Sequence, residues 1–69
     1  MQLSARNQFP GRVTAVKLGG VMAEVAVDIG GGHHMVSVIT RQSAEQLGLG
    51  DGTEVTVVIK STEVLLARE

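Results

Sequence analysis

Val21-Met22-Ala23-Glu24-Val25-Ala26-Val27-Asp28-Ile29 is the stretch that decides the fold. Its odd positions, Val21, Ala23, Val25, Val27 and Ile29, are all apolar, whereas Glu24 and Asp28 fall on the even face beside Met22 and Ala26. Side chains alternate across a strand with a period of two, so the pattern predicts a β-strand with its odd face in the core. The even face, mixing carboxylates with Met and Ala, predicts partial cover by a neighbouring subunit.

The flanking segments extend the same reading. Gly11 to Leu18 reads as a preceding strand, with Val13 and Ala15 on one face and Arg12, Thr14, Val16 and Leu18 on the other. Gly19-Gly20 makes the turn between them, because glycine accepts positive φ without steric cost. Pro10 lacks an amide hydrogen and belongs at a strand start or edge. Gly30-Gly31-Gly32 leads into a third strand over His34 to Ile39. Thr40 then caps a short helix over Arg41 to Leu47 that Gly48 ends, with Ala44 and Leu47 as its small apolar face. Asp51-Gly52 turns into a fourth strand, Glu54 to Ile59, and a fifth follows over Glu63 to Ala67. The expected fold is all-β: a five-stranded OB-like barrel with one short helix between strands 3 and 4. Strand count alone leaves an SH3-like barrel open.

Size and composition constrain how such a barrel is stabilised. A chain of 69 residues suffices for one domain, 1–69, and not for two. A domain this small buries only about 60% of the surface its unfolded chain exposes, against an ordering cost of roughly 1.5 kcal/mol per residue. The usual supports are disulfides, structural metals or association. Cys is absent, and Phe9 is the single aromatic residue, so the interior must be built from aliphatic side chains. Association is the support left, and 43% hydrophobic content in so short a chain leaves apolar surface for subunit contacts. The formal charge of -1 argues against extensive contact with nucleic-acid phosphates. The N-terminus, MQLSARNQF, lacks the features of a signal peptide, and no stretch has the length of a membrane span. A cytoplasmic protein with no membrane partner is the expectation.

Catalytic chemistry is poorly supported. There is no Cys nucleophile, no Ser-His-Asp set, and the carboxylates are scattered. His33-His34 could suggest a metal, but neighbours on a strand point to opposite faces. The glycine run lacks the residues that close a phosphate-binding loop. Two polar islands are more informative: Ser4-Ala5-Arg6-Asn7-Gln8 before Phe9, and Lys60-Ser61-Thr62 between two apolar segments. Each places a cation beside hydroxyl donors. Convergent N–H and O–H donors with some positive charge are what a small tetrahedral oxyanion needs.

At these residues the sequence resembles the molybdenum-pterin binding proteins, or molbindins, whose Mop domain is related to the TOBE domains of molybdate transport ATPases and regulators. Ser4-Ala5-Arg6-Asn7-Gln8 is similar to the family's opening motif, and Gly19-Gly20-Val21-Met22-Ala23-Glu24-Val25 to its first hairpin. Ile39-Thr40, Ser43, Glu45 and Leu47-Gly48-Leu49 are similar to its helical segment, and Val58-Ile59-Lys60-Ser61-Thr62-Glu63-Val64 to its Lys-Ser/Ala-Thr motif. The resemblance implies an OB-like barrel assembled as a homohexamer, a trimer of dimers. It implies molybdate, and often tungstate, bound between subunits, with no cofactor, no metal coordinated by side chains and no enzymatic turnover. It places Ser4, Ala5, Arg6, Lys60 and Ser61 around the anion from one subunit, with Gly20 and Val21 supplied by a partner. A second class of site near a threefold axis belongs to the family and cannot be assigned to residues from these motifs. His33-His34 departs from the Asn-Lys-like pair of the family's glycine-rich loop.

The implied function is storage or buffering of molybdate. The competing readings are an oligomeric accessory barrel without useful anion binding and an OB-type nucleic-acid module. The second is disfavoured by the scarcity of aromatic platforms and the absence of net positive charge.

Overall fold

The computed structural model describes residues 3–69, so residues 1 and 2 of the expected 1–69 domain lie outside the described residues. The chain forms β1 (Asn7–Leu18), β2 (Met22–Gly30), β3 (His33–Thr40), α1 (Arg41–Gln46) and β4 (Glu54–Ile59), followed by a 3-10 turn over Ser61–Glu63. The strands make one antiparallel sheet in the order β3-β2-β1-β4.

β1 is the organising element, because it serves two neighbours in succession. Its first stretch, Asn7 to Arg12, pairs with β4, and its second, Arg12 to Leu18, pairs with β2. Pro10 lies in the stretch that has a neighbour on one side only, where a missing N–H is tolerated. At the crossing, a Cβ on Gly11 would meet Val27 Cγ1 at 2.6 Å and the Asp28 carbonyl oxygen at 3.0 Å, so the approach requires bare backbone. A bulge between Val13 and Ala15 shifts the register. The Val13 N–H donates to the Thr53 carbonyl (2.9 Å), and the Val13 carbonyl accepts from Gly52 N–H (2.7 Å), so the bulge leaves this backbone satisfied. The bulge also corrects the expected alternation: Val13 is fully buried, and Val16 rather than Ala15 packs against the core.

The core is thin. Val13, Val25 and Val27 form its centre, with Val16, Ile29, Ile39, Leu49, Val55 and Val57 packed around them, and Ala23 and Ala44 buried nearby. The odd face of the 21–29 stretch therefore points inward, except at its start. Val21 is 75% exposed and lies in the turn, one residue before β2 begins. Gly19 and Gly20 have no positive φ, contrary to expectation; the left-handed run is Gly30, Gly31 and Gly32. Gly19 is required for a different reason, since a Cβ there would stand 2.9 Å from the Met22 carbonyl oxygen.

Thr40 caps α1: its hydroxyl accepts from Ser43 N–H at 3.1 Å and donates to Ser43 Oγ at 2.7 Å. Gly48, at φ 64, turns the chain out of the helix. Ala44 is buried, whereas Leu47 is the C-cap and mostly exposed, so the apolar face of α1 is smaller than the sequence suggested. The fifth strand expected over Glu63 to Ala67 does not form within the chain. After Glu63 the chain has no regular structure, and Leu65 and Leu66 are 91% and 94% exposed. A strand needs a ladder partner for its backbone, and this segment pairs with neither free edge, β3 or β4, of its own chain.

Candidate functional site

The two polar islands meet at one end of the sheet. Asn7 pairs with Ile59, so Arg6 and Lys60, adjacent to that pair, leave the sheet side by side. Antiparallel pairing thus joins the Ser4-Ala5-Arg6 and Lys60-Ser61 segments despite their separation in sequence. Gln8 Nε2 donates to the Ala5 carbonyl at 2.7 Å and fixes the approach to β1. The 3-10 turn engages the Lys60 carbonyl through Glu63 N–H (2.8 Å) and the Ser61 carbonyl through Val64 N–H (3.4 Å). The Ala5, Lys60 and Ser61 carbonyls are therefore occupied internally. Among the described residues neither Arg6 nor Lys60 forms an ion pair. Ser4, Arg6, Lys60 and Ser61 are exposed and Ala5 is half-buried. The result is an open shelf with two uncommitted cations and two hydroxyls, with Glu63 as the nearest opposing charge in sequence.

Gly20 and Val21 lie at the other end. They occupy the β1–β2 turn, where Gly19 N–H donates to the Met22 carbonyl (2.7 Å). Arg41 holds two more carbonyls: its backbone N–H donates to Val21 O (2.8 Å), and its Nη1 donates to Gly19 O (3.2 Å). Glu45 accepts from Arg41 Nε at 2.8 Å. Among the described residues the Gly20 and Val21 amides donate to no protein acceptor. Gly20, Val21, Thr40, Arg41 and Glu45 line one open groove. Nothing in the sequence ties Thr40, Arg41 and Glu45 to this turn. The Thr-x-x-Ser cap and the Arg41/Glu45 spacing were legible, but as helix signals they say nothing of the turn they touch.

The two ends are separated by the whole of β1. A strand of 12 residues at about 3.4 Å per residue spans on the order of 30 Å or more. One copy of the chain therefore brings together Ser4, Ala5, Arg6, Lys60 and Ser61, and does not bring Gly20 and Val21 to them. His33 and His34 are exposed at the β2–β3 turn, His34 opposite Asp28, whose Oδ1 accepts from Gly30 N–H at 2.8 Å. Among the described residues no three His, Cys, Asp or Glu side chains converge as a metal site, and no helix is long and apolar enough to cross a membrane.

The TOBE domain model matches residues 3–66. The chain belongs to the TOBE domain family. Within it, this TOBE domain groups with the molybdenum-pterin-binding proteins: it is 53% identical over 66 residues to molybdenum-pterin-binding protein 3 of Clostridium pasteurianum, covering 96% of this chain and 97% of that one. Its fold matches MopII from the same organism with a TM-score of 0.91 at 45% identity, over 97% of this chain and 100% of the other. It also matches the cytoplasmic molybdate-binding protein ModG, in a form with molybdate bound, with a TM-score of 0.85 at 48% identity, over 88% of this chain and 43% of that chain. This TOBE domain is thus an antiparallel four-stranded sheet with one small helix, as in MopII.

Proposed function

We propose that this chain binds molybdate, and tungstate by the same donors, at sites between copies of itself, and serves as a cytoplasmic store for the anion. One observation carries the intersubunit reading: the cationic shelf and the free turn amides stand at opposite ends of β1. In the proposed site Arg6 and Lys60 offset the charge, while Ser4 and Ser61 hydroxyls and nearby amides donate hydrogen bonds, Ala5 contributing backbone. Gly20 and Val21 of a second copy complete the shell. Hydrogen bonds to a charged group contribute roughly 1.5–3 kcal/mol each, so donors from two chains couple binding to assembly. Relatives that bind molybdenum compounds, at high identity over nearly the full chain, support the ligand class.

Self-association also accounts for the exposed apolar surface. Val36 and Val38 on edge strand β3 are 64% and 62% exposed, and the Leu65-Leu66 tail is bare. In the proposed homohexamer, a trimer of dimers, residues 63–67 of one copy add the fifth strand to another, completing each OB-like barrel. The single domain acts without cofactor or turnover. Calorimetric titration with molybdate, repeated with sulfate as competitor and paired with sedimentation analysis, tests this reading. Saturable binding by an oligomer, resistant to sulfate, is expected; absence of molybdate binding, or full affinity in a monomer, overturns it.

A further inference from the structure

Resting on that reading of Gly20 and Val21, we propose that Arg41 is a positioning residue, which holds the β1–β2 turn so that the Gly20 and Val21 amides are presented to the anion.

A turn containing Gly19-Gly20 is intrinsically loose, since glycine has the largest conformational freedom to lose. Free amides in such a turn would be ordered only when an anion arrived, and that ordering would weaken binding. Arg41 removes the freedom from both sides of the pair. Its backbone N–H holds the Val21 carbonyl, and its guanidinium holds the Gly19 carbonyl. The carbonyl and N–H of a peptide group lie in one plane and point in opposite directions, so fixing the Gly19 carbonyl fixes the Gly20 N–H, while the Gly20–Val21 peptide that carries the Val21 N–H is held between two fixed neighbours. Glu45 in turn holds Arg41 through Nε while Nη1 reaches the turn. The planar guanidinium makes both bonds at once, in fixed relative directions. A lysine ammonium carries the same charge without that fork. The turn and α1 are thereby locked through one residue, which directly follows β3.

The role is geometric, which separates it from simple attraction of an anion by a cation. Wild type, Arg41→Lys, Arg41→Gln and Glu45→Gln should be compared as full-length oligomers, with sodium molybdate titrated calorimetrically and by amide proton–nitrogen NMR. In wild type the Gly20 and Val21 amide signals are expected to move on saturation. Both Arg41 variants should bind about five- to tenfold more weakly, with the free-state Gly20 and Val21 signals shifted or broadened. Signals of β4 should stay in place, which excludes general misfolding. Glu45→Gln should weaken binding by about twofold through the retained Arg41. Wild-type affinity in Arg41→Lys, whatever Arg41→Gln does, would overturn the positioning role, since charge alone would then suffice. Molybdate saturation that leaves the wild-type Gly20 and Val21 signals unmoved would overturn the underlying site assignment instead.

Discussion

The two ends of β1 present opposite kinds of surface. At the β4 end, Arg6 and Lys60 have no acidic partner among the described residues and stand beside Ser4 and Ser61. At the β2 end, the Arg41 guanidinium is spent on Glu45 and the Gly19 carbonyl while its backbone N–H holds the Val21 carbonyl, and among the described residues the Gly20 and Val21 amides have no protein acceptor. The first end offers charge with little enclosure. The second offers oriented donors with little charge. An oxyanion needs both, because charge offsets its desolvation and directed donors define its shape. In the proposed site the halves stand at different ends of one strand, which would make a second copy of the chain a condition of binding.

The largest expected effect comes from stripping the charged end. Arg6→Ala combined with Lys60→Ala should weaken molybdate binding by about a hundredfold or more, since each charge-assisted bond contributes roughly 1.5–3 kcal/mol. Both side chains belong to exposed residues, so the thermal midpoint should change little. Calorimetry and a thermal melt on the same sample check the two halves of that expectation. Affinity within about threefold of wild type would place the anion elsewhere.

The next effect separates the ends without touching either. Leu65→Asp with Leu66→Asp places carboxylates where the tail is proposed to be covered, each replacing a side chain whose burial is worth roughly 1.5–3 kcal/mol. Light scattering after size exclusion should then show loss of the proposed hexamer. Molybdate affinity should fall with it, although every proposed ligand residue is intact. A monomer that still binds as tightly as wild type would mean that one chain suffices.

Much of this comparison was legible in the sequence, and unevenly. Alternation from Ala23 to Ile29 located β2 because burial on one face enforces a period of two. Ser4-Ala5-Arg6 and Lys60-Ser61 announced the charged end, because cations beside hydroxyls are a compositional signal. That they adjoin required the Asn7–Ile59 register, which no local pattern encodes. The bulge after Val13 was invisible for the same reason: it depends on loop groups at Gly52 and Thr53. The fifth strand was read from apolar residues alone, and Val64-Leu65-Leu66 is a continuous run without alternation, which marks burial without saying by what chain. The amide end was the least legible, since its chemistry is backbone and its support is a helix residue read only as helix.

A smaller effect tests that support. Thr40→Ala removes the cap of a six-residue helix and should cost about 1 kcal/mol locally. Amide exchange over residues 41–46 should accelerate, and molybdate affinity should fall by about twofold as Arg41 loses its fixed base. Unchanged exchange would show that packing of Ala44, rather than the Thr40 hydroxyl, holds α1 in place.

The smallest effect is expected midway between the ends. Arg12 lies where β1 changes partners, opposite both Asp28 and Glu54, and its Nη2 stands 3.4 Å from Glu54 Oε1 with the side chains 65% and 81% exposed. An ion pair so open to solvent contributes about 0.5 kcal/mol or less. Arg12→Ala should therefore leave both the melt and the molybdate affinity near wild type, despite removing a cation from the same strand. If affinity instead fell substantially and the loss disappeared at high salt, the anion would be sensing the summed field of β1, since exposed charges interact over about 10 Å only at modest ionic strength. Insensitivity at every salt concentration is what confines the charge requirement to Arg6 and Lys60, and so keeps the two ends distinct.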